Sequence, residues 1–93
     1  MSAIVRIMGL VLLMTCATAQ AQFVERLMAR GDLSDAVFDA EEALKDYLSA
    51  EKLEPTNVPL LLRIARQYRH LMSDAKTNPM KLKLGGISLS YAL

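Results

Sequence analysis

The chain has very few of the side chains on which catalytic and metal sites depend. It contains one cysteine, Cys16, and one histidine, His70, so no second sulfur or imidazole is available to complete a zinc site. It also has no glycine-rich phosphate loop and no nucleophile elbow. Asp39, Glu41 and Glu42 are clustered carboxylates, but along a helix they would point in different directions. We therefore predict that the protein is not an enzyme and binds no cofactor or metal, with His70 in a favourable contact with a helix C-terminus.

Charge is almost absent from the residues before Glu25, where Arg6 is the only charged side chain. An apolar run over residues 7–15 follows it, and then Ala19-Gln20-Ala21, which together are typical of a secretory signal peptide. The run is shorter than the roughly 20 apolar residues that a membrane span needs. We therefore predict a signal peptide over residues 1–21 and an exported chain over residues 22–93, in the periplasm or outside the cell.

Two other processing routes stay open for this segment. One is an uncleaved N-terminal membrane anchor, which would be the only membrane contact of the protein. The other is lipidation, because Leu13-Met14-Thr15-Cys16 is similar to a bacterial lipoprotein cleavage box. Cleavage after Ala21 would remove Cys16, so the mature chain could form no disulfide even in an oxidising compartment.

The charges of the mature chain balance overall but are unevenly distributed. Removing Arg6 from the eleven basic residues leaves ten, against ten acidic residues. Nine of the acids precede Pro55, and six of the basic residues follow it. Among the latter, Arg63, Arg66 and Arg69 recur every three residues; they either bind an acidic peptide or carboxylate terminus, or are solvated or paired with acids of the preceding helix. Zero net charge, with no aromatic residues between the arginines, argues against nucleic acid.

The first half of the mature chain predicts two helices of unequal length. The first covers residues 22–30 and ends at Gly31, because glycine commonly ends a helix in the left-handed conformation. Asp32 is then the N-cap of a long second helix over residues 33–53. The apolar stripe expected on this helix consists of Leu33, Ala36, Val37, Ala40, Leu44, Tyr47 and Leu48.

The second half predicts a proline turn and two further helices. Pro55 cannot continue a helix, and Asn57 is the expected N-cap of a third helix over residues 59–72. A polar connection over residues 73–79 leads to a fourth helical segment, residues 81–93, which Gly85 and Gly86 weaken by about 1 kcal/mol each. We expect the second and third helices to pack antiparallel through Tyr47, Ala50, Leu61, Ala65 and Tyr68.

Two groups of residues at characteristic spacings resemble the tetratricopeptide repeat. One repeat end is matched by Tyr47, Ala50 and Pro55, and the next first helix by Leu61, Ile64, Ala65 and Tyr68. The resemblance implies an all-α fold of antiparallel helical hairpins, a truncated α-solenoid of about two hairpins with the last incomplete. It also implies a concave groove that binds a protein or peptide. The implied groove positions are Pro59, Leu62, Arg66, Arg69 and His70, and the last four are the candidate partner-binding residues.

Other features of the chain bear on this resemblance. Leu62 and Arg66 occupy the positions where chaperone-binding family members have a lysine and asparagine clamp. The arginine-rich segment over residues 60–71 is also similar to the repeats of the regulator-of-microtubule-dynamics family, although an export signal argues against a microtubule role. The alternative to a binding scaffold is a purely structural fragment of a longer repeat protein. Repeat arrays usually need about three repeats, so we expect residues 22–93 to self-associate or to be partly unfolded.

Overall fold

The protein is built of four helices joined by short turns. The computed structural model describes the backbone of residues 2–93 and the side chains of residues 18–93. The helices are α1 (Ser2–Ala36), α2 (Ala40–Leu53), α3 (Val58–Asp74) and α4 (Asn78–Ala92). Each helix packs against the next one along the chain, and residues 2–93 contain no strand. The predicted all-α class is confirmed.

The predicted signal peptide lies mostly outside the described side chains, which begin at residue 18. This applies to Arg6, to the apolar run and to Cys16. Ala19 and Ala21 of the predicted cleavage pattern lie within α1. In the part of the chain that the structure describes, no helix combines the length and the apolar character needed to cross a membrane. Cleavage, lipidation and anchoring all stay predictions.

The turn between α1 and α2 lies later in the chain than the sequence indicates. α1 continues through Gly31 and Asp32 to Ala36, so the predicted helix end at Gly31 and the predicted N-cap at Asp32 are wrong. The chain reverses at Phe38, whose φ of 60° is left-handed. Asp39 is the N-cap of α2, and its carboxylate accepts a hydrogen bond from the backbone N–H of Glu42 at 3.2 Å. An aspartate cap therefore exists, but at Asp39.

The later turn also divides the long helix that was predicted over residues 33–53. α2 has only 14 residues. Leu33, in the last turn of α1, and Val37, in the turn that follows, are each 72% exposed. The predicted apolar stripe is therefore wrong in its first part. Its second part is correct, because Ala40, Leu44 and Tyr47 are buried.

The α3 boundaries follow the prediction closely. Asn57 is the N-cap, and its side-chain oxygen accepts from the backbone N–H of Leu60 at 3.2 Å. Pro59 lies in the first turn, where a missing N–H has no cost. These residues fix the start of α3 by local chemistry alone, so this part of the prediction is confirmed.

α4 begins earlier than predicted and tolerates its glycines. Thr77 is the N-cap and accepts from the backbone N–H of Met80 at 3.4 Å. Pro79 therefore lies in the first turn of α4 and not in a polar connection. Gly85 and Gly86 lie inside the helix. The helix is retained because its inner face packs against α3, which offsets the low propensity of glycine.

A small apolar core lies between the first three helices. Its buried members are Val24, Leu27, Ala43, Leu44, Tyr47, Ala50, Leu60 and Ile64. Of the residues predicted to join α2 and α3, Tyr47, Ala50 and Ala65 are buried, and Leu61 and Tyr68 pack against this core in partly buried positions. Burial of each larger side chain contributes roughly 1.5–3 kcal/mol.

Candidate functional site: the polar seam between α1 and α3

Ionic and polar side chains of α1 meet those of α3 along one line, which we call the polar seam. Its members are Asp32 and Asp35 of α1 and Arg63, Arg66, Gln67 and His70 of α3. The α1 residues are three positions apart, and the α3 residues recur at comparable helical steps. Both sets therefore lie on single helix faces, which is why two straight helices can bring them together.

Asp32 is the first centre of the polar seam. Its Oδ1 accepts hydrogen bonds from the Tyr47 hydroxyl and from Arg63 Nε, the latter at 2.9 Å, and Oδ2 accepts from Arg63 Nη2 at 3.4 Å. Partial burial by itself would raise the pKa of Asp32, but the hydrogen bonds from Arg63 and Tyr47 and the arginine charge outweigh it and lower the pKa. Asp32 is therefore ionised in the folded protein and holds α1, α2 and α3 together.

The two donors to Asp32, Tyr47 and Arg63, both have raised pKa values. Burial, and then the hydrogen bond to Asp32, raise the pKa of the Tyr47 hydroxyl well above its ordinary value. The hydrogen bond to Asp32 raises the pKa of Arg63. Tyr47 is fully buried, so its hydroxyl depends on Asp32 for a partner. Loss of that acceptor would leave a buried polar group at a cost of about 1–3 kcal/mol.

Asp35 is the second centre, one helical turn further along α1. Gln67 Nε2 donates to Asp35 Oδ1 at 3.0 Å, and Arg66 Nε lies 3.5 Å from Asp35 Oδ2. His70 Nε2 lies 3.7 Å from Asp35 Oδ1 and also accepts a hydrogen bond from Arg66 Nε at 3.3 Å. Gln67 is only 1% exposed, and within residues 18–93 its Oε1 has no hydrogen-bond partner. The carboxylate of Asp35 therefore balances much of the charge at this end of α3.

The predicted partner-binding residues share one side of α3. Leu62 is 54% exposed, Arg66 and Arg69 are exposed, and His70 is partly buried. Their helical spacing places them on one helix face. Arg66 and His70 reach the polar seam, whereas Arg69 makes no ion pair with any residue in the range 18–93. The structure thus brings an apolar residue and two arginines to one accessible surface.

The sequence prediction missed most of the polar seam. The sequence predicts a helix cap at Asp32 and does not link Gln67 or Tyr47 to the arginines. The alternative in which the arginines pair with acids of residues 33–53 is confirmed for Arg66, which pairs with Asp35, although Asp35 lies in α1. A signal was present, because the separation between Gly31 and Ala65 equals the period of one tetratricopeptide repeat. By this separation, Gly31 occupies the same repeat position in α1 as Ala65 does in α3. Because Ala65 lies inside a helix, the separation predicts that α1 continues through Gly31.

The polar seam offers charge and hydrogen bonding between α1 and α3. Among the described residues, no group of three or more histidine, cysteine, aspartate or glutamate side chains could hold a metal ion. Each seam carboxylate already contacts at least two polar side chains. Such an arrangement fixes the orientation of α1 on α3. It also allows the carboxylate of a ligand to replace a seam carboxylate as the partner of an arginine.

Comparison with known proteins adds no further information. No family model, curated protein or solved structure matches this chain.

Proposed function

We propose that the protein is an exported scaffold of tetratricopeptide-like helical hairpins that binds an acidic peptide or partner protein across the exposed side of α3. The observation that carries this proposal is the grouping of Leu62, Arg66 and Arg69 on one accessible helix face. Arginine binds carboxylates through two parallel hydrogen bonds, and Leu62 provides an apolar contact beside them. The preferred ligand is thus a peptide with carboxylates next to an apolar side chain.

The repeat-like part of the proposal is supported by the packing at two equivalent positions. A Cβ added to Gly31 would lie 2.7 Å from Cδ1 of the Tyr47 ring, so α1 approaches α2 closely there. Ala65, one repeat period later, is also small and buried in α3, and the hydroxyl of Ser88 in α4 donates to its carbonyl at 2.7 Å. Small residues at the same place in successive hairpins, one repeat period apart, are typical of tetratricopeptide arrays.

Asp35 sets the condition under which a ligand can bind. Its carboxylate lies 3.5 Å from Arg66 Nε, so an acidic ligand has to displace it or share the guanidinium with it. Arg69 carries no such internal partner within residues 18–93 and is the first contact we expect. The alternative, a purely structural fragment without a binding site, predicts no ligand at either arginine.

The test is binding of a labelled hexapeptide of alternating glutamate and leucine, with its glutamine analogue as the uncharged control. Arg66→Glu combined with Arg69→Glu should weaken binding of the acidic peptide by about tenfold or more. A matched charge reversal elsewhere, Arg26→Glu with Lys52→Glu, should leave the affinity within about twofold, since only long-range attraction changes. Asp35→Asn should strengthen binding, because it frees Arg66.

A variant with only one substitution distinguishes loss of binding from loss of folding. Arg69→Glu alone breaks no described ion pair and should retain the helix content by circular dichroism while losing affinity. Equal binding of the acidic peptide by the wild type, Arg69→Glu and the double variant would exclude this face as the site. Equal binding of the acidic peptide and its glutamine analogue would show that carboxylates are not recognised.

A further inference from the structure

Three exposed apolar residues lie at the turn between α1 and α2, and we call them the turn patch. It consists of Leu33, Val37 and Phe38, which are 72%, 72% and 86% exposed. Phe38 also has a φ of 60°, a conformation that a bulky side chain rarely adopts. Three exposed carboxylates follow it directly in the chain, namely Asp39, Glu41 and Glu42, and Lys45 is bound to Glu42. The turn patch is therefore an apolar knob with an acidic rim.

α4 carries a second exposed apolar surface, which we call the α4 stripe. It consists of Leu82, Gly86 and Leu89, which follow one face of α4, and of Leu93, the C-cap residue that continues their spacing. The leucines are 78%, 59% and 97% exposed. A Cβ added at Gly86 would have no atom within 4 Å. The α4 stripe thus has a gap at its centre where another chain could approach the helix backbone.

The opposite face of α4 is already occupied by its own chain. Ser88 donates to the Ala65 carbonyl at 2.7 Å, and the ring of Tyr91 stacks on Tyr68 with centroids 5.9 Å apart. The Tyr91 hydroxyl also donates to Glu51 at 3.2 Å. The α4 stripe is therefore a separate surface that does not form part of the packing of α4 on α3.

The charge around the α4 stripe is opposite to that around the turn patch. Lys81 and Lys83 flank Leu82, Lys76 precedes the helix, and no acidic residue occurs from residue 75 to residue 93. An apolar knob with an acidic rim and an apolar stripe with a basic rim are complementary, and both occur on this chain. An anionic membrane would suit the α4 stripe but would leave the acidic turn patch without a partner.

From this complementarity we propose that copies of this chain associate head to tail, with the turn patch of one copy seated on the α4 stripe of the next. Phe38 is the anchor, and Gly86 leaves room for its ring. Glu41 and Glu42 face Lys81 and Lys83 of the neighbouring copy. Because the two surfaces differ, the contact is heterologous and generates a ring or an open filament. This surface is distinct from the peptide-binding face proposed on α3.

The first test is sedimentation velocity of the full chain over a concentration series at low and high salt. Wild type should associate with increasing concentration, and less so at high salt. Phe38→Asn should weaken association by about tenfold or more, as expected for the loss of an aromatic anchor. Asparagine accepts a left-handed φ, so this variant should keep its helix content. Phe23→Gln is the matched control, because Phe23 is 52% exposed and lies outside both surfaces; it should associate like wild type.

The second test exchanges the charges of the two surfaces. Lys81→Glu with Lys83→Glu should weaken self-association, and so should Glu41→Lys with Glu42→Lys. A mixture of these two variants should regain association, because each then presents the charge that the other has lost. The N-terminal segment is the same in all variants, so differences between them report on the two surfaces alone.

Three outcomes would overturn the proposal. The first is a wild type that stays monomeric at every concentration. The second is association that Phe38→Asn and the lysine reversals do not change. The third is a chain that stays monomeric but sediments with vesicles of anionic phospholipid, and does so only when the α4 lysines are present. That result would assign the α4 stripe to a membrane surface.

Discussion

Replacement of Gly31 by alanine tests the packing that the sequence did not reveal. Gly31 lies inside α1 without a positive φ, so helix propensity alone predicts that alanine would stabilise the protein by about 1 kcal/mol. The structure predicts the opposite sign. The new Cβ would lie 2.7 Å from Cδ1 of Tyr47 and closer still to Cε1.

The size of the effect follows from how little Tyr47 can move. Ordinary contact begins at 3.4 Å, so the ring would have to retreat by well over half an ångström. Tyr47 is fully buried, and its hydroxyl is bound to Asp32 of the same helix that carries Gly31. Overpacking of this kind costs about 1–3 kcal/mol. After subtraction of the propensity gain, we expect a net loss of up to about 2 kcal/mol.

The assay is urea denaturation of the full chain, monitored by circular dichroism at a concentration where the chain is monomeric, so that contacts between copies at Gly86 do not contribute. The matched control is Gly86→Ala, where the added methyl group meets no atom within 4 Å and should stabilise the protein by about 1 kcal/mol. If the Gly31→Ala variant has the same free energy of unfolding as the Gly86→Ala variant, the close packing of Gly31 on Tyr47 is refuted.

A left-handed turn at Gly31 would also make Gly31→Ala destabilising. A double variant distinguishes this explanation from close packing on Tyr47. Tyr47→Leu removes the ring that the new methyl group would meet. If packing is the cause, Gly31→Ala should cost about 1 kcal/mol less in the Tyr47→Leu background. An unchanged cost in that background would support the turn that the sequence suggested.

Two other predictions concern the polar seam and the turn. Folding lowers the pKa of Asp32, so its carboxylate stabilises the protein above its ordinary pKa of 3.8, and this contribution is lost as the pH falls through the folded value. Asp32→Asn should therefore reduce the free energy of unfolding by about 0.5–1 kcal/mol at neutral pH, as for a half-exposed ion pair, and the difference from wild type should shrink in acid; a difference that stays constant as the pH falls would contradict this. Phe38→Asn should raise the unfolding free energy by about 1 kcal/mol through relief of the left-handed strain, and a lower melting temperature would show that the Phe38 side chain stabilises the fold.

Local chemistry determined several features of this protein from the sequence alone. Asn57 followed by Pro59 marks the start of α3, because the amide caps the helix and the proline needs no N–H there. Pro55 likewise prevents α2 from continuing. These signals act within a few residues, and the structure places α3 where they predict.

Tertiary packing alone decided where α1 ends and which charges meet. A glycine suits both a left-handed turn and a close helix contact, so Gly31 by itself did not distinguish them; the Tyr47 ring on α2 decides in favour of the contact. Continuation of α1 then places Asp32 and Asp35 beside Arg63 and Arg66, which lie beyond α2 in the chain. Only the repeat-length separation of Gly31 from Ala65 hinted at this alignment in the sequence, since contacts between distant residues depend on the three-dimensional arrangement of the helices and not on local propensity.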